Sequence, residues 1–257
     1  MNELPTERQD RAKGNDMAQK TNYKNHEVVD LTQEIYQSQP VFIGHPDTWR
    51  WTNMTHEESA ASGRFKSEFS YYCGVLQVCE HGPTHVDSIS HLDPSPEAPH
   101  IDKMGFEFFY SRGIAIDFEN IEDNSYIDAD AVKRRLDHYK LEIRPGDTVC
   151  YTYGHYKRHY PKASYTTHYA GWTRDAAEYV YGECGALNVA TDAPSMDMAH
   201  SPEYPCHLVC RDLGRTNTEN LRNIEEVVGK EFLYIGMPLL IRDGSGSPCR
   251  VVAVLNA

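Results

Sequence analysis

The chain has 257 residues, 40% of them hydrophobic and 25% charged, the balance of a soluble globular protein large enough for one sizeable core. With 25 Lys and Arg against 38 Asp and Glu, the formal charge is −13, which disfavours nucleic-acid backbones and anionic membranes as partners. No run approaches the roughly 20 apolar residues of a membrane span, and the polar start lacks the apolar stretch of a secretory signal. Met1 to about Asn25 reads as a disordered or loosely docked arm, and residues 26–257 as a single domain. The seven cysteines are odd in number and form no CxxC pair, as expected of reduced thiols in a cytoplasmic protein.

Strand signals begin at Val28–Thr32, Gly74–Val78 and Gly113–Phe118. Asp128 can then cap a helix through about Tyr139, with Ala131, Val132, Leu136 and Tyr139 at helical spacing. Asp147–Tyr153 reads as a strand, Thr173 as the cap of a second helix through Cys184, and Gly185 as its left-handed stop. Ala186–Thr191 returns as a strand, and Thr218–Val228 is a weaker helical candidate. Phe232–Ile235, Leu239–Ile241 and Arg250–Leu255 complete the strands. Strands outnumber helices and alternate with them clearly only from Asp147 to Thr191, so the expected fold is a mixed α/β domain with a strand-rich core.

The chemistry concentrates between Cys79 and Pro94, CEHGPTHVDSISHLDP. His81, His85, Asp87 and His91 share one parity, so an extended segment would point them to one face. Extension alone leaves His81 and His85 roughly 13 Å apart, but Gly82-Pro83 between them permits a bend. A two-histidine, one-carboxylate face suits Zn²⁺, Mn²⁺ or Fe²⁺. Spacing alone leaves a polar surface loop equally open. A nucleophilic Cys79 with His81 as base is disfavoured, because no glycine-rich elbow follows it to form an oxyanion hole.

The stretch resembles the signature of the metal-dependent cyclase-like hydrolases, a family that includes bacterial kynurenine formamidase, isatin hydrolase and zinc-dependent trans-dienelactone hydrolase. The family pattern, His-x-Gly-Thr-His-x-Asp-x-Pro-x-His, is met by His81, Thr84, His85, Asp87 and His91. Pro83 replaces its glycine and Ile89 its proline. Val29-Asp30-Leu31-Thr32 is similar to the family's opening strand, and Asp192-Ala193-Pro194-Ser195-Met196-Asp197 to its aspartate-x-proline-serine-x-aspartate segment.

The resemblance implies a swivelling β/β/α domain, usually oligomeric, that binds one or two divalent ions, Zn²⁺ or Mn²⁺. It implies His81, His85 and Asp87 as ligands, His207 and Glu219 as further ligands, and His91 as catalytic acid/base. The implied activity is hydrolysis of a cyclic amide, lactone or N-acyl bond in a small aromatic or carboxylated substrate. Kynurenine formamidase, a metal-dependent lyase or cyclase, and a non-catalytic metal-binding protein are the alternatives. Trp49 and Trp51 are candidates to cover an apolar substrate, with packing or an oligomer contact as the ordinary alternative. Gly154–Tyr160, with His155 and His159, is a candidate to grip a carboxylate or ring, or else a solvated loop. His168 and His200 show no readable partner.

Overall fold

The structure is a computed structural model and describes residues 20–23, 25–65 and 68–256. Strands β1 (Lys20–Tyr23) and β2 (His26–Asp30) pair antiparallel. β3 (Trp49–Met54), helix α1 (His56–Ala61) and β4 (Cys73–Gln77) follow, the two strands forming a hairpin separate from the main sheet. β5 (His85–Asp87) runs into α2 (Ile89–Leu92). Next come β6 (Tyr110–Asp117), β7 (Tyr126–Ile127), α3 (Ala129–Tyr139) and β8 (Thr148–Thr152). They are followed by α4 (His155–His159), β9 (Gly171–Trp172), α5 (Arg174–Ala177) and β10 (Asn188–Thr191). α6 (Pro205–Leu213), β11 (Thr216–Glu219), β12 (Glu231–Pro238) and β13 (Gly246–Leu255) complete the chain.

Nine strands form one mixed sheet in the order β1-β2-β13-β12-β6-β8-β10-β11-β5. Because β5 also pairs with β13, the strands from β13 round to β5 close into a barrel-like ring. β6, β8, β10 and β11 are mutually parallel, each crossing over through helical segments. Alternate side chains of these strands feed two cores. Ile114, Ile116, Val149, Tyr151 and Val189 pack with Val132 and Leu136 of α3, Ala176 and Ala177 of α5, and Val209 and Cys210 of α6. Ala115, Cys150 and Ala190 face the other way and join Val29, Leu31, Val86, Val251 and Ala253. Burial on both faces explains why β6, β8 and β10 read as continuous apolar runs. The mixed, strand-rich α/β fold agrees with the sequence expectation.

Asp128 caps α3 as expected, accepting from Ala131 N at 2.7 Å. Thr173 precedes α5, which loosens into a π-helical turn over Glu178–Glu183 before Gly185 at φ 78°. Two expectations are corrected. Thr218–Val228 is no helix: Thr218 and Glu219 belong to β11, and Asn220 and Asn223 take left-handed φ of 59° and 58°, breaking the regular turn that Leu221, Ile224 and Val228 suggested. Only Ile224–Glu226 makes a short 3₁₀ turn. Leu239–Ile241 is not a strand but the connection between β12 and β13, where Leu240 is 86% exposed. Lys20–Tyr23, inside the arm read from the sequence, is an exposed edge strand; the arm before it lies outside the described residues.

Candidate metal centre

β5 lies between β11 and β13, and its register places Glu219 directly opposite His85. A carboxylate remote in sequence is thereby set beside the imidazole by strand pairing alone. His85 and Asp87, two apart on β5, share a face, as do Asn217 and Glu219 on β11. His81 comes from the turn before β5 and His91 from α2 after it. Shared parity therefore accounts for His85 and Asp87, while a turn and a helix bring in the other two. The chain bends at Gly82-Pro83 and folds the His81 ring to 5.3 Å from that of His85, centroid to centroid. His81 also packs onto Gly246, where any Cβ would stand 2.8 Å from its ring.

The polar atoms converge on one point. His85 Nε2 lies 3.4 Å from Asp87 Oδ1 and 3.5 Å from Glu219 Oε2. His207 Nε2, from the first turn of α6, lies 3.8 Å from Asp87 Oδ2 and 3.6 Å from Glu219 Oε1. Ligands held about 2.1 Å from one tetrahedral ion stand about 3.4 Å apart, so these four groups have the spacing of a ligand set. His81 Nδ1 is 2.7 Å from Asp87 Oδ1, and the His91 ring packs on His81 at a tilt of 34°, with centroids 4.0 Å apart. Donor atoms of His81, Asp87 and His91, and of His85, Asp87 and Glu219, each lie within 4.8 Å of one another. Asp87 is common to both groups.

A second layer orients the first. Asp197, fully buried, bonds His207 Nδ1 and accepts from the backbone N–H groups of Cys206 and His207. Asn217 Nδ2 donates to Asp87 Oδ2 at 3.0 Å and Glu219 Oε1 at 2.8 Å. His85 Nδ1 meets Pro83 O at 2.8 Å, leaving Nε2 toward the carboxylates. His81 Nε2 meets Ser245 Oγ, which donates to Glu80 Oε2.

The electrostatics show what the site lacks within the chain. Burial pushes Glu219 well above the usual carboxylate range, and the Asp87 charge adds to it. Burial acts to raise Asp87 too, but the charges of His91 and His81, with hydrogen bonds from His81 and His85, hold it well below that range. Burial is also the largest influence on His207 and lowers it, yet Asp197, Glu219 and Asp87 together lift it to about 9. His81 likewise rises despite burial, through Asp87 and Glu80. Among the described residues no Lys or Arg pairs with Asp87 or Glu219. Apart from these imidazoles, the two buried carboxylates meet the Asn217 amide and, at Glu219, the Met196 backbone, with no fixed cation beside them among the described residues. A divalent cation fits that donor set. His91 differs from its neighbours. Removal from water on the crowded wall, with the charges of His81, His207 and His85, pushes it down to about 4 against the pull of Asp87, although its outer edge meets solvent.

The groups open into a cavity of about 380 Å³, walled by Phe42, Leu92, Pro194, Tyr204 and Leu208, with Arg211 and His45 also lining it. The six residues expected as ligands or acid/base, His81, His85, Asp87, His91, His207 and Glu219, all line this cavity. Trp49, Trp51 and the Gly154–Tyr160 segment do not: both tryptophans are about half exposed on β3, and His155 is fully buried. Cys79 touches His81 only through the His81 backbone N–H. His168 bonds its neighbour Thr167, and His200 is exposed. Sequence reasoning missed His45, Arg211, Asn217, Ser245 and Glu80. Asn217 had a readable signal, its two-residue offset from Glu219, concealed because the stretch beginning at Thr218 read as helix.

Fold and site together define a mixed α/β protein with a buried histidine–carboxylate centre suited to a divalent metal. The family model described as "Putative cyclase" matches residues 29–198, and the chain belongs to this cyclase family. Kynurenine formamidase of Salinibacter ruber (strain DSM 13855 / M31) is 23% identical over 232 residues, covering 88% of this chain and 96% of the relative. Isatin hydrolase A from Ralstonia solanacearum superposes with a TM-score of 0.77 at 22% identity, covering 90% of this chain and 93% of the other. Isatin hydrolase A from Labrenzia aggregata, bound to benzyl benzoate, gives 0.78 at 19% identity, covering 90% and 94%. The resemblance carried by the His81–His91 motif is borne out. No helix among the described residues is long and apolar enough to cross a membrane.

Proposed function

We propose that this protein is a divalent-metal-dependent hydrolase that cleaves a cyclic amide, lactone or N-acyl bond of a small substrate. The observation that carries the reading is the convergence of His85, Asp87, His207 and Glu219 at ligand spacing on one wall of a cavity that His91 also lines. His81, His85, Asp87, His207 and Glu219 would hold one or two ions; with no thiolate among these donors, Zn²⁺ and Mn²⁺ both suit. A bound ion supplies Lewis acidity, making water a nucleophile at neutral pH and polarising a carbonyl. His91, neutral at pH 7 with its folded-state pKa near 4, can accept the proton of the attacking water on a ring nitrogen and return it to the leaving nitrogen or oxygen. The apolar wall suits an aromatic or aliphatic body, while Arg211 at its rim is held by Asp212.

Hydrolysis of N-formylkynurenine is the alternative to test first, and the formamidase relative, matched over nearly its whole length, supports including it. The free thiols among the described residues support a cytoplasmic protein, and the oligomeric habit implied by the family resemblance supports a homo-oligomer. The test is metal analysis of purified protein followed by turnover of N-formyl anilines, cyclic imides and lactones in ¹⁸O-labelled water. The expected result is chelator-sensitive turnover with one labelled oxygen per product. Product without label would mark a lyase or cyclase, and bound metal without turnover of any substrate would mark a non-catalytic site.

A further inference from the structure

A second cavity, of about 640 Å³, is lined by the end of β2 and residues of β12 and β13, and shares no lining residue with the metal cavity. Arg222 lines it. Its backbone N–H bonds Leu31 O at 2.9 Å, which seats it beside the end of β2. The residue is 7% exposed, its Nε is buried without a partner, and no acceptor bonds its guanidinium among the described residues. Arginine keeps its charge in proteins, and a guanidinium withdrawn from water at Nε gains from a counter-charge at its open fork.

The neighbouring acids do not answer that need. Asp30 is held by Arg250, whose Nε reaches Oδ1 at 3.0 Å and whose terminal nitrogen reaches Oδ2 at 2.6 Å. Glu34 lines the same cavity without an ion pair to Arg222. Ile35, Met237, Leu239 and Pro248 give the remaining wall an apolar character. The guanidinium fork matches a carboxylate in shape and charge. The four charged residues Arg222, Arg250, Asp30 and Glu34 sum to zero, so a monoanion is accommodated better than a phosphate dianion.

We propose that Arg222 and this cavity form a second ligand site, separate from the metal centre, that binds the carboxylate of a small organic acid with an apolar body. The site stands independently of the hydrolase reading. Isothermal titration of the metal-loaded full chain with benzoate and 4-phenylbutyrate tests it. Saturable binding is expected in the wild type and in His85→Ala, whose metal centre is disabled. Arg222→Gln should weaken it about 10-fold or more, the order expected for losing a charge-assisted pair. Arg222→Lys should recover part of the affinity, and Glu34→Gln should tighten binding by removing a like charge. Should Arg222→Gln not fold, Ile35→Glu at the exposed wall is expected to abolish binding instead. No saturable binding, equal affinity in folded Arg222→Gln, or binding that disappears with the metal centre would each overturn the proposal. So would an Arg222→Gln protein that dissociates from an oligomer in sedimentation while the wild type ignores both acids, since Arg222 would then serve a carboxylate of a second copy.

Discussion

His81–His91 and His155–His159 are both dense in histidine, and in each burial pushes a ring down, His91 to about 4 and His155 to about 3. Their surroundings separate them. His155 gives Nε2 to Tyr165 O at 2.8 Å and stacks between His159 and Tyr165, with centroids 4.8 and 5.0 Å away. It lies fully buried among aromatic rings, as a polar wedge in a packed wall. The rings of His81, His85 and His91 instead gather around Asp87 on the wall of a cavity, with Glu219 and His207 arriving from two other elements. A count of histidines would rank the segments alike. What distinguishes a centre is unneutralised carboxylate beside imidazole, open space in front of both, and hydrogen bonds that fix which nitrogen points inward.

That contrast can be broken by substitution. The largest effect is expected for His91→Ala, where loss of an acid/base group should lower turnover about 10²–10⁴-fold while metal content stays at the wild-type level. Loss of the metal would instead make His91 a ligand, and full activity would remove it from the chemistry.

Asp197→Asn comes next. It removes the carboxylate that orients His207 and should weaken metal binding about 10–100-fold, read by competition with a chromogenic chelator. The pH dependence carries the same signature. In the metal-free protein the His207 pKa is raised to about 9, so its proton competes with metal below that pH, and wild-type affinity should climb as pH rises toward 9. The sign for stability is opposite in the metal-free state. A raised histidine pKa contributes stability that is complete below about pH 6.5 and is lost as pH rises through about 9. Both trends should flatten in Asp197→Asn; if they persist unchanged, another group sets them.

The smallest functional effect is expected at the other histidine segment. His155→Ala should cost about 2–4 kcal/mol of stability in denaturant unfolding, from the cavity and the unpaired Tyr165 carbonyl, with metal content and kcat unchanged. A drop in metal content in the folded variant would show that the two segments are coupled.

How much of this was legible in the chain differs by element. β6, β8 and β10 announced themselves because both their faces are buried, and α3 because Asp128 caps a regular apolar repeat. His85 and Asp87 were legible as a pair because strand periodicity is local, and the Gly82-Pro83 bend was legible because those residues restrict or free the backbone. Glu219 and His207 could be carried over from a family resemblance, but no property of residues 205–220 pairs them with His85. That pairing is a matter of register and contact: β11 beside β5 sets Glu219 opposite His85, and Asp197, bonded to the first turn of α6, turns His207 inward. Thr218–Val228 misled for the same reason, since its apolar spacing suits a helix until Asn220 and Asn223 turn left-handed and β10 claims Thr218 as a partner. The sequence by itself thus determined which local residues, His85 and Asp87 above all, could share a site, and where the chain bends. Only the tertiary structure decided which of them meet, because a shared cavity, a buried charge without its partner and a strand register are properties of contacts between segments far apart in the chain.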